Sequence, residues 1–131
     1  MRFTRNITEL TDNEVFVFGS NLSGRHGAGA AKQALKWGAK LGRGIGLYGK
    51  TYAIPTVNAT ITSKLPLRDI NDYVKEFIDF ARSHKELDFL VTAIGCGLAG
   101  WTPEDIAPMF LEATVLENVS LPKEFWKVLN R

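Results

Sequence analysis

The sequence predicts an α/β fold, a sheet covered by helices on both faces, and two observations carry that expectation. Short apolar runs rich in β-branched and aromatic residues alternate with segments whose apolar residues recur at helical spacing. Glycines gather where two of those runs end: nine lie between Gly19 and Gly49, three between Gly95 and Gly100, and none elsewhere. With 131 residues, 45% of them hydrophobic, the chain suits one domain, 1–131, with a real core. A net charge of +2 is too small to favour disorder.

Taken in order, Glu14–Phe18 (E-V-F-V-F) reads as a buried strand ending at Gly19, followed by the Gly-rich loop Gly19–Gly29. From Ala30 to about Leu41, residues Ala31, Ala34, Leu35 and Gly38 make a narrow helical face suited to lying close on a sheet. Lys32, Lys36 and Lys40 share another face. Gly38, Gly42, Gly44, Gly46 and Gly49 then predict a flexible connection able to serve as a flap. Thr51–Ile54 reads as a second buried strand, stopped by Pro55, and Thr56 to Lys64 carries no clear pattern. Pro66 to about Ser83 is the clearest helix, with Ile70, Tyr73, Val74, Phe77, Ile78 and Ala81 on one stripe. Phe89–Ile94 is a third strand and Gly95–Trp101 its loop. Thr102-Pro103-Glu104-Asp105 opens a helix to about Ala113, with an N-cap threonine, a proline at the first position and acids in the first turn. Asn118–Leu121 predicts a short closing strand, and Glu124–Asn130 a terminal helical turn.

Several function classes drop out. No apolar run approaches the roughly 20 residues of a membrane-spanning helix, and Met1–Arg5 leads into no signal-peptide core. The lone Cys96 excludes a disulfide framework and a cysteine-based zinc site, and so points to the cytoplasm. Asp69, Asp72, Glu76 and Asp79 fall on the polar side of a helix rather than in a metal site, and no cofactor is implied. Charge is nonetheless lopsided. Val15 to Arg68 holds eight Lys and Arg and no acid, a formal +8, which leaves 8 − 14 = −6 for the rest.

In α/β sheets ligands bind beyond the C-terminal ends of the strands, where both glycine clusters fall. The first loop joins a strand end to a helix start, whose free N–H groups favour an anion, and Gly27 and Gly29 would let a phosphate approach the backbone. Arg25 is suited to clamp a phosphate bidentately. His26 either donates to a phosphate, acts as acid or base near neutral pH, or is a solvated loop histidine. The second loop, G-C-G-L-A-G, repeats the device before a capped helix, so that a diphosphate would be gripped from two sides. Cys96 reads as a small residue in a tight turn, and Trp101 as a base-stacking, cleft-covering or core residue. Trp37 and Trp126 read as packing residues, and His84 as a partner for a helix C-terminus. No Gly-Lys-Ser/Thr follows either loop, and the G-R-H-G-A-G spacing does not suit a dinucleotide fingerprint.

The segments V-F-V-F-G-S-N (Val15–Asn21), G-A-G-A-A (Gly27–Ala31) and I-G-C-G-L-A-G-W (Ile94–Trp101) resemble the two phosphate loops of macro domains. The I-G-C-G-L run is closest to the branch containing the terminal ADP-ribose protein glycohydrolase. V-F-G-S-N-L-x-G-x-H-G-A-G-A-A, T-Y-A-I-P-T and I-G-C-G-L-A-G together resemble small bacterial and phage macro-like proteins. The resemblance implies a three-layer α/β/α sandwich with a central mixed sheet, binding ADP-ribose or an ADP-ribosylated substrate. It implies a site of Asn21, Gly27, Ala28, Gly29, Gly95, Cys96, Gly97, Leu98, Ala99 and Gly100, to which the reading of the residues themselves adds Ser20, Arg25, His26 and Trp101. Asn21 would be directed at the distal ribose, and Gly95 through Gly100 would hold the diphosphate. The catalytic Asp of the glycohydrolase branch is replaced here by Ala99, and its nucleophilic Lys has no match. Hydrolysis of an ADP-ribosyl bond or of a terminal phosphate would therefore fall to water assisted by Asn21 and His26, and binder versus hydrolase or phosphatase stays open. Two further readings are a nucleic-acid-binding module using the basic half, with Trp37, Tyr48 and Tyr52 nearby, and another Rossmann-like nucleotide domain.

Overall fold

A computed structural model of the chain describes residues 1–97 and 99–131, and its layers follow from β1 (Glu14–Asn21). Successive strand side chains point to opposite faces. Val15 and Val17 thus enter one core and Phe16 and Phe18 another, each no more than 2% exposed. The remaining strands are β2 (Gly46–Tyr48), β3 (Thr51–Val57), β4 (Asp88–Val91) and β5 (Val119–Ser120), in the spatial order β2-β3-β1-β4-β5. All neighbours are parallel except β2 against β3, so the sheet is mixed, with β1 at its centre.

Among the described residues four α-helices cover it: α1 (Gly29–Ala34), α2 (Leu67–Ser83), α3 (Pro103–Ile106) and α4 (Lys123–Leu129). α2 lays its predicted stripe against the face of Val15 and Val17. Phe77 there meets Tyr52 and Phe89 edge-on, at centroid distances of 5.1 and 5.4 Å. Each such buried aromatic contributes about 1.5–3 kcal/mol of transfer free energy. On the other face Ala31 and Ala34 of α1 lie on Phe16 and Phe18, small enough to let helix and sheet approach. Trp37 sits 4.9 Å from Phe16, and Ile7 and Leu10 of the N-terminal segment complete that layer. No helix of the described residues is long and apolar enough to cross a membrane.

Several boundaries differ from the sequence expectation, each for a physical reason. β1 continues past Phe18 through Gly19 and Ser20 to Asn21, because β3 pairs with it that far. β3 in turn runs through Pro55, which lies beyond the last β2 pairing at Gly46↔Ala53. Its missing N–H therefore leaves no β2 bond unmade. The helix expected to reach Leu41 stops sooner: α1 tightens into a 3-10 turn at Leu35–Trp37 and ends at Gly38, φ +105°. α3 opens with the expected N-cap threonine, which forms a capping box with Asp105, each side chain bonding the other's backbone N–H. Pro108 cannot donate the next helical bond, so Ala107–Val115 continues as 3-10 turns. β4 ends at Val91 rather than Ile94, the chain turning where Ile94 N–H donates to the Thr92 carbonyl.

The glycine-rich connection is the largest revision. Instead of a free flap it contains β2 and is tied down by close backbone approaches. A Cβ on Gly44 would lie 2.0 Å from the Asn21 carbonyl oxygen, and one on Gly24 2.2 Å from the Arg43 nitrogen. Gly38 and Gly49 face each other so closely that a Cβ on either would meet the other's Cα within 3 Å. Lys50 N–H donates to the Trp37 carbonyl beside them.

Candidate functional site

A cleft of about 480 Å³ opens at the C-terminal ends of β1, β3 and β4, the location the topology favours. β1 contributes Gly19, Ser20 and Asn21, and the first loop and α1 contribute Arg25 and Gly27–Ala31. β3 and the turn after it add Thr56, Val57 and Ile61, and the opposite wall is Thr92–Gly95 with Gly97 and Ala99. The cleft thus joins both predicted glycine loops. Arg25, exposed at its rim, is the one charged side chain among the described lining residues, and no carboxylate is among them.

Of the predicted site residues, Ser20, Asn21, Arg25, Gly27, Ala28, Gly29, Gly95, Gly97 and Ala99 line the cleft. Ser20 and Asn21 do so mainly as scaffold. The Ser20 hydroxyl donates to the Gly44 carbonyl, fastening the glycine connection to β1. Asn21 Oδ1 accepts from the Arg25 N–H and the Ser23 hydroxyl, both at 2.9 Å, while Nδ2 donates to the Arg25 carbonyl at 2.8 Å. That closes the Ser23–Arg25 turn and leaves one amide hydrogen of Asn21 for anything in the cleft.

His26, expected as a loop donor or acid-base group, is instead a core residue. It is 2% exposed, meets Phe18 edge-on at 5.4 Å, and does not line the cleft. Its Nε2–H donates to the Lys40 carbonyl at 3.0 Å, and Nδ1 has no partner among the described residues. The turn made by Asn21 rotates it inward, so a proton-transfer role in the cleft has no geometric basis.

The second loop bends at Gly95 (φ +74°) and Gly100 (φ +87°), closed by Trp101 N–H donating to the Gly95 carbonyl at 2.8 Å. Cys96, Gly100 and Trp101 do not line the cleft, and Leu98 lies outside the described residues. Cys96 packs on the core, and burial, reinforced by Glu124, Asp105 and Glu104, pushes its thiol up to about 11. It is a thiol at neutral pH and a poor nucleophile. Trp101 neither stacks in the cleft nor covers it. Its indole N–H donates to the Leu65 carbonyl at 3.2 Å, and the Lys64 ammonium sits 3.7 Å above its ring. It clamps the segment after β3 to the second loop. Trp37 and Trp126 do pack as expected, Trp126 Nε1–H donating to the Arg2 carbonyl. His84 caps α2, its ring 3.9 Å from that of Phe80.

Sequence reasoning missed Gly19, Ala30, Ala31, Thr56, Val57, Ile61, Thr92, Ala93 and Ile94 as cleft residues. The strand-end residues among them carried a usable signal, since strand ends are where such clefts form. Ile61 carried none. Thr56 and Thr92 face their neighbours: Thr92 Oγ1–H donates to the Val17 carbonyl at 2.8 Å, and Thr56 Oγ1 lies 3.4 Å from the Ser20 carbonyl. Among the described residues no three His, Cys, Asp or Glu side chains gather as a metal site.

The glycines separate into two groups. Nine are required by the chain itself: Gly24, Gly29, Gly38, Gly42, Gly46, Gly49, Gly95 and Gly100 by positive φ, and Gly44 by the carbonyl against it. Gly19, Gly27 and Gly97 have neither constraint. Among the described residues, chain neighbours aside, a Cβ on Gly27 or Gly97 would meet nothing within 4 Å, and one on Gly19 would make ordinary contacts at 3.4 Å or more. All three line the cleft, from β1, the first loop and the second loop respectively.

No protein-family model matches the chain, and no curated protein matches it. A solved structure, that of a protein of unknown function from Bacteroides thetaiotaomicron, is similar with a TM-score of 0.61 at 18% identity. The similarity covers 88% of this chain and 90% of that one, so the two share the fold over most of their lengths.

Proposed function

We propose that this cleft binds ADP-ribose or a closely related ADP-ribosyl nucleotide, with the diphosphate lying between Gly27 and Gly97, and that the domain is macro-domain-like. The observation that carries the reading is the sorting of the glycines. Where neither backbone angle nor protein neighbour requires glycine, Gly19, Gly27 and Gly97 all face one cleft. A ligand that needs close access to backbone N–H groups accounts for the missing Cβ atoms. The start of α1 has no side-chain cap, so its first N–H groups are available to phosphate oxygens. Arg25 and the acid-free stretch from Val15 to Arg68 supply a favourable potential for an anion. A volume of about 480 Å³ suits a nucleotide-sized guest.

Binding accounts for the site better than hydrolysis. No carboxylate, histidine, cysteine, lysine or tyrosine is among the described lining residues, His26 is buried elsewhere, and Cys96 is held protonated. The test is a calorimetric panel of ADP-ribose, phosphorylated ADP-ribose, NAD, ADP and single-stranded nucleic acid, with ADP-ribosylated protein as a turnover substrate. The expected result is binding of ADP-ribose in preference to nucleic acid, without turnover. No heat with any adenine nucleotide at millimolar concentration, or salt-sensitive binding of nucleic acid alone, would overturn the reading.

A further inference from the structure

Ile61 is the non-glycine residue with positive φ, +58°, among the described residues, and it lines the cleft. A β-branched side chain is poorly accommodated there, because Cβ crowds the backbone carbonyl. Such a conformation persists only where the surroundings enforce it. Here they do. Asn58 Oδ1 accepts from the N–H groups of Thr62 and Ser63, Asn58 N–H donates to the Ser63 carbonyl, and Ile61 N–H donates to the Asn58 carbonyl. Val57 and Lys64 pair across the base of the turn, and Lys64 and Leu65 are held by Trp101. Nothing in this network involves the Ile61 side chain, which stays 46% exposed at the cleft. The turn thus holds an exposed apolar group in a costly conformation that asparagine or glycine would adopt with less strain.

Resting on the nucleotide reading above, we propose that Ile61 is a specificity residue, held by this turn so that its apolar side chain packs on a nucleoside ring of the bound ligand. Its neighbour in the wall is Val57, and the nearby Thr56 hydroxyl is directed at the Ser20 carbonyl. That part of the cleft therefore suits the flat or C–H face of a ring rather than a phosphate, for which the glycine loops provide N–H groups.

The test compares wild type with Ile61→Gly, Ile61→Asn and Ile61→Val, by thermal unfolding of the free proteins and calorimetry with ADP-ribose and inorganic pyrophosphate. Gly and Asn relieve the backbone, so those variants unfold at or above the wild-type Tm, yet bind ADP-ribose about tenfold more weakly. Val keeps the branched side chain and stays within about threefold of wild type. Pyrophosphate affinity is unchanged throughout. ADP-ribose affinity within twofold of wild type in Ile61→Gly and Ile61→Asn would overturn the inference while leaving the cleft reading intact. Equal weakening of pyrophosphate would also overturn it, by showing a general loss of the site. Failure of wild type itself to bind ADP-ribose would remove the parent reading and this one with it.

Discussion

Gly97→Ala separates what the fold needs from what a ligand needs. The substitution adds one methyl group to the second loop, where among the described residues it would meet no atom within 4 Å beyond its chain neighbours, and Gly97 does not occupy the left-handed region. The native state therefore accepts the methyl without strain, while the unfolded chain loses freedom. The expected change in stability is between zero and a gain of about 1 kcal/mol. Affinity should respond in the opposite sense. A phosphate oxygen drawn up to this backbone would be displaced by the methyl, losing at least one charge-assisted hydrogen bond of about 1.5–3 kcal/mol. That corresponds to roughly tenfold to hundredfold weaker binding of ADP-ribose. Urea unfolding followed by calorimetry on the same preparation reads both quantities. Unchanged affinity would refute a phosphate at this loop. A loss of stability above about 1 kcal/mol would refute the premise that the fold leaves this position free.

Gly44→Ala makes the opposite case, since its Cβ would lie 2.0 Å from the Asn21 carbonyl oxygen. It should cost about 3 kcal/mol or more in urea unfolding, and a neutral result would mean the glycine connection is not seated on β1. Glu14, buried and held bidentately by the Arg5 guanidinium, has its carboxyl lowered to about 2. Because the folded pKa lies below the unfolded one, this stabilisation is complete above about pH 4.5 and is lost as pH falls through about 2. Arg5 is half exposed, so its worth is about 1–2 kcal/mol. Denaturation of Glu14→Gln against wild type should show the stability gap closing across that window, and a gap independent of pH would contradict the pairing. Cys96, with its thiol pushed up to about 11, should alkylate slowly at pH 7 and progressively faster up to about pH 11. Rapid modification at neutral pH would mean an activated thiolate.

The parts of the fold legible in the sequence are those whose side chains have a single environment. α2 matched because Ile70, Val74, Phe77, Ile78 and Ala81 are all buried on one side. The cores of β1, β3 and β4 matched because both of their faces are covered. β2 was hidden: three residues on a sheet edge, partly exposed, have no periodicity to display. The seating of the glycine connection is not legible in composition, which cannot distinguish glycine used for freedom from glycine used for contact; the close approach of Gly38 and Gly49 decides. The candidate site divides in the same way. Loops built from backbone were visible as glycine at strand ends. Side-chain roles at His26 and Trp101 were not, because each is settled by a distant carbonyl, of Lys40 and of Leu65.

The position of β5 has a consequence for the order in which the chain folds. β4 is bordered by β1 on one side and by β5 on the other, and β5 in turn is flanked by the N-terminal segment, where Thr4 N–H donates to Leu121 and Leu121 N–H to Arg2. The two halves of that border are separated by almost the whole sequence. Topologies dominated by such distant partners fold in milliseconds to seconds rather than microseconds. A nascent chain synthesised only through Val91 already has the three central strands of the sheet. Until Val119–Leu121 emerges, however, the outer edge of β4 lacks its strand partner and is met only by Thr4 at the Val91 carbonyl and Arg2 at Asp88, and it is there that a stalled or truncated chain would recruit another copy of itself.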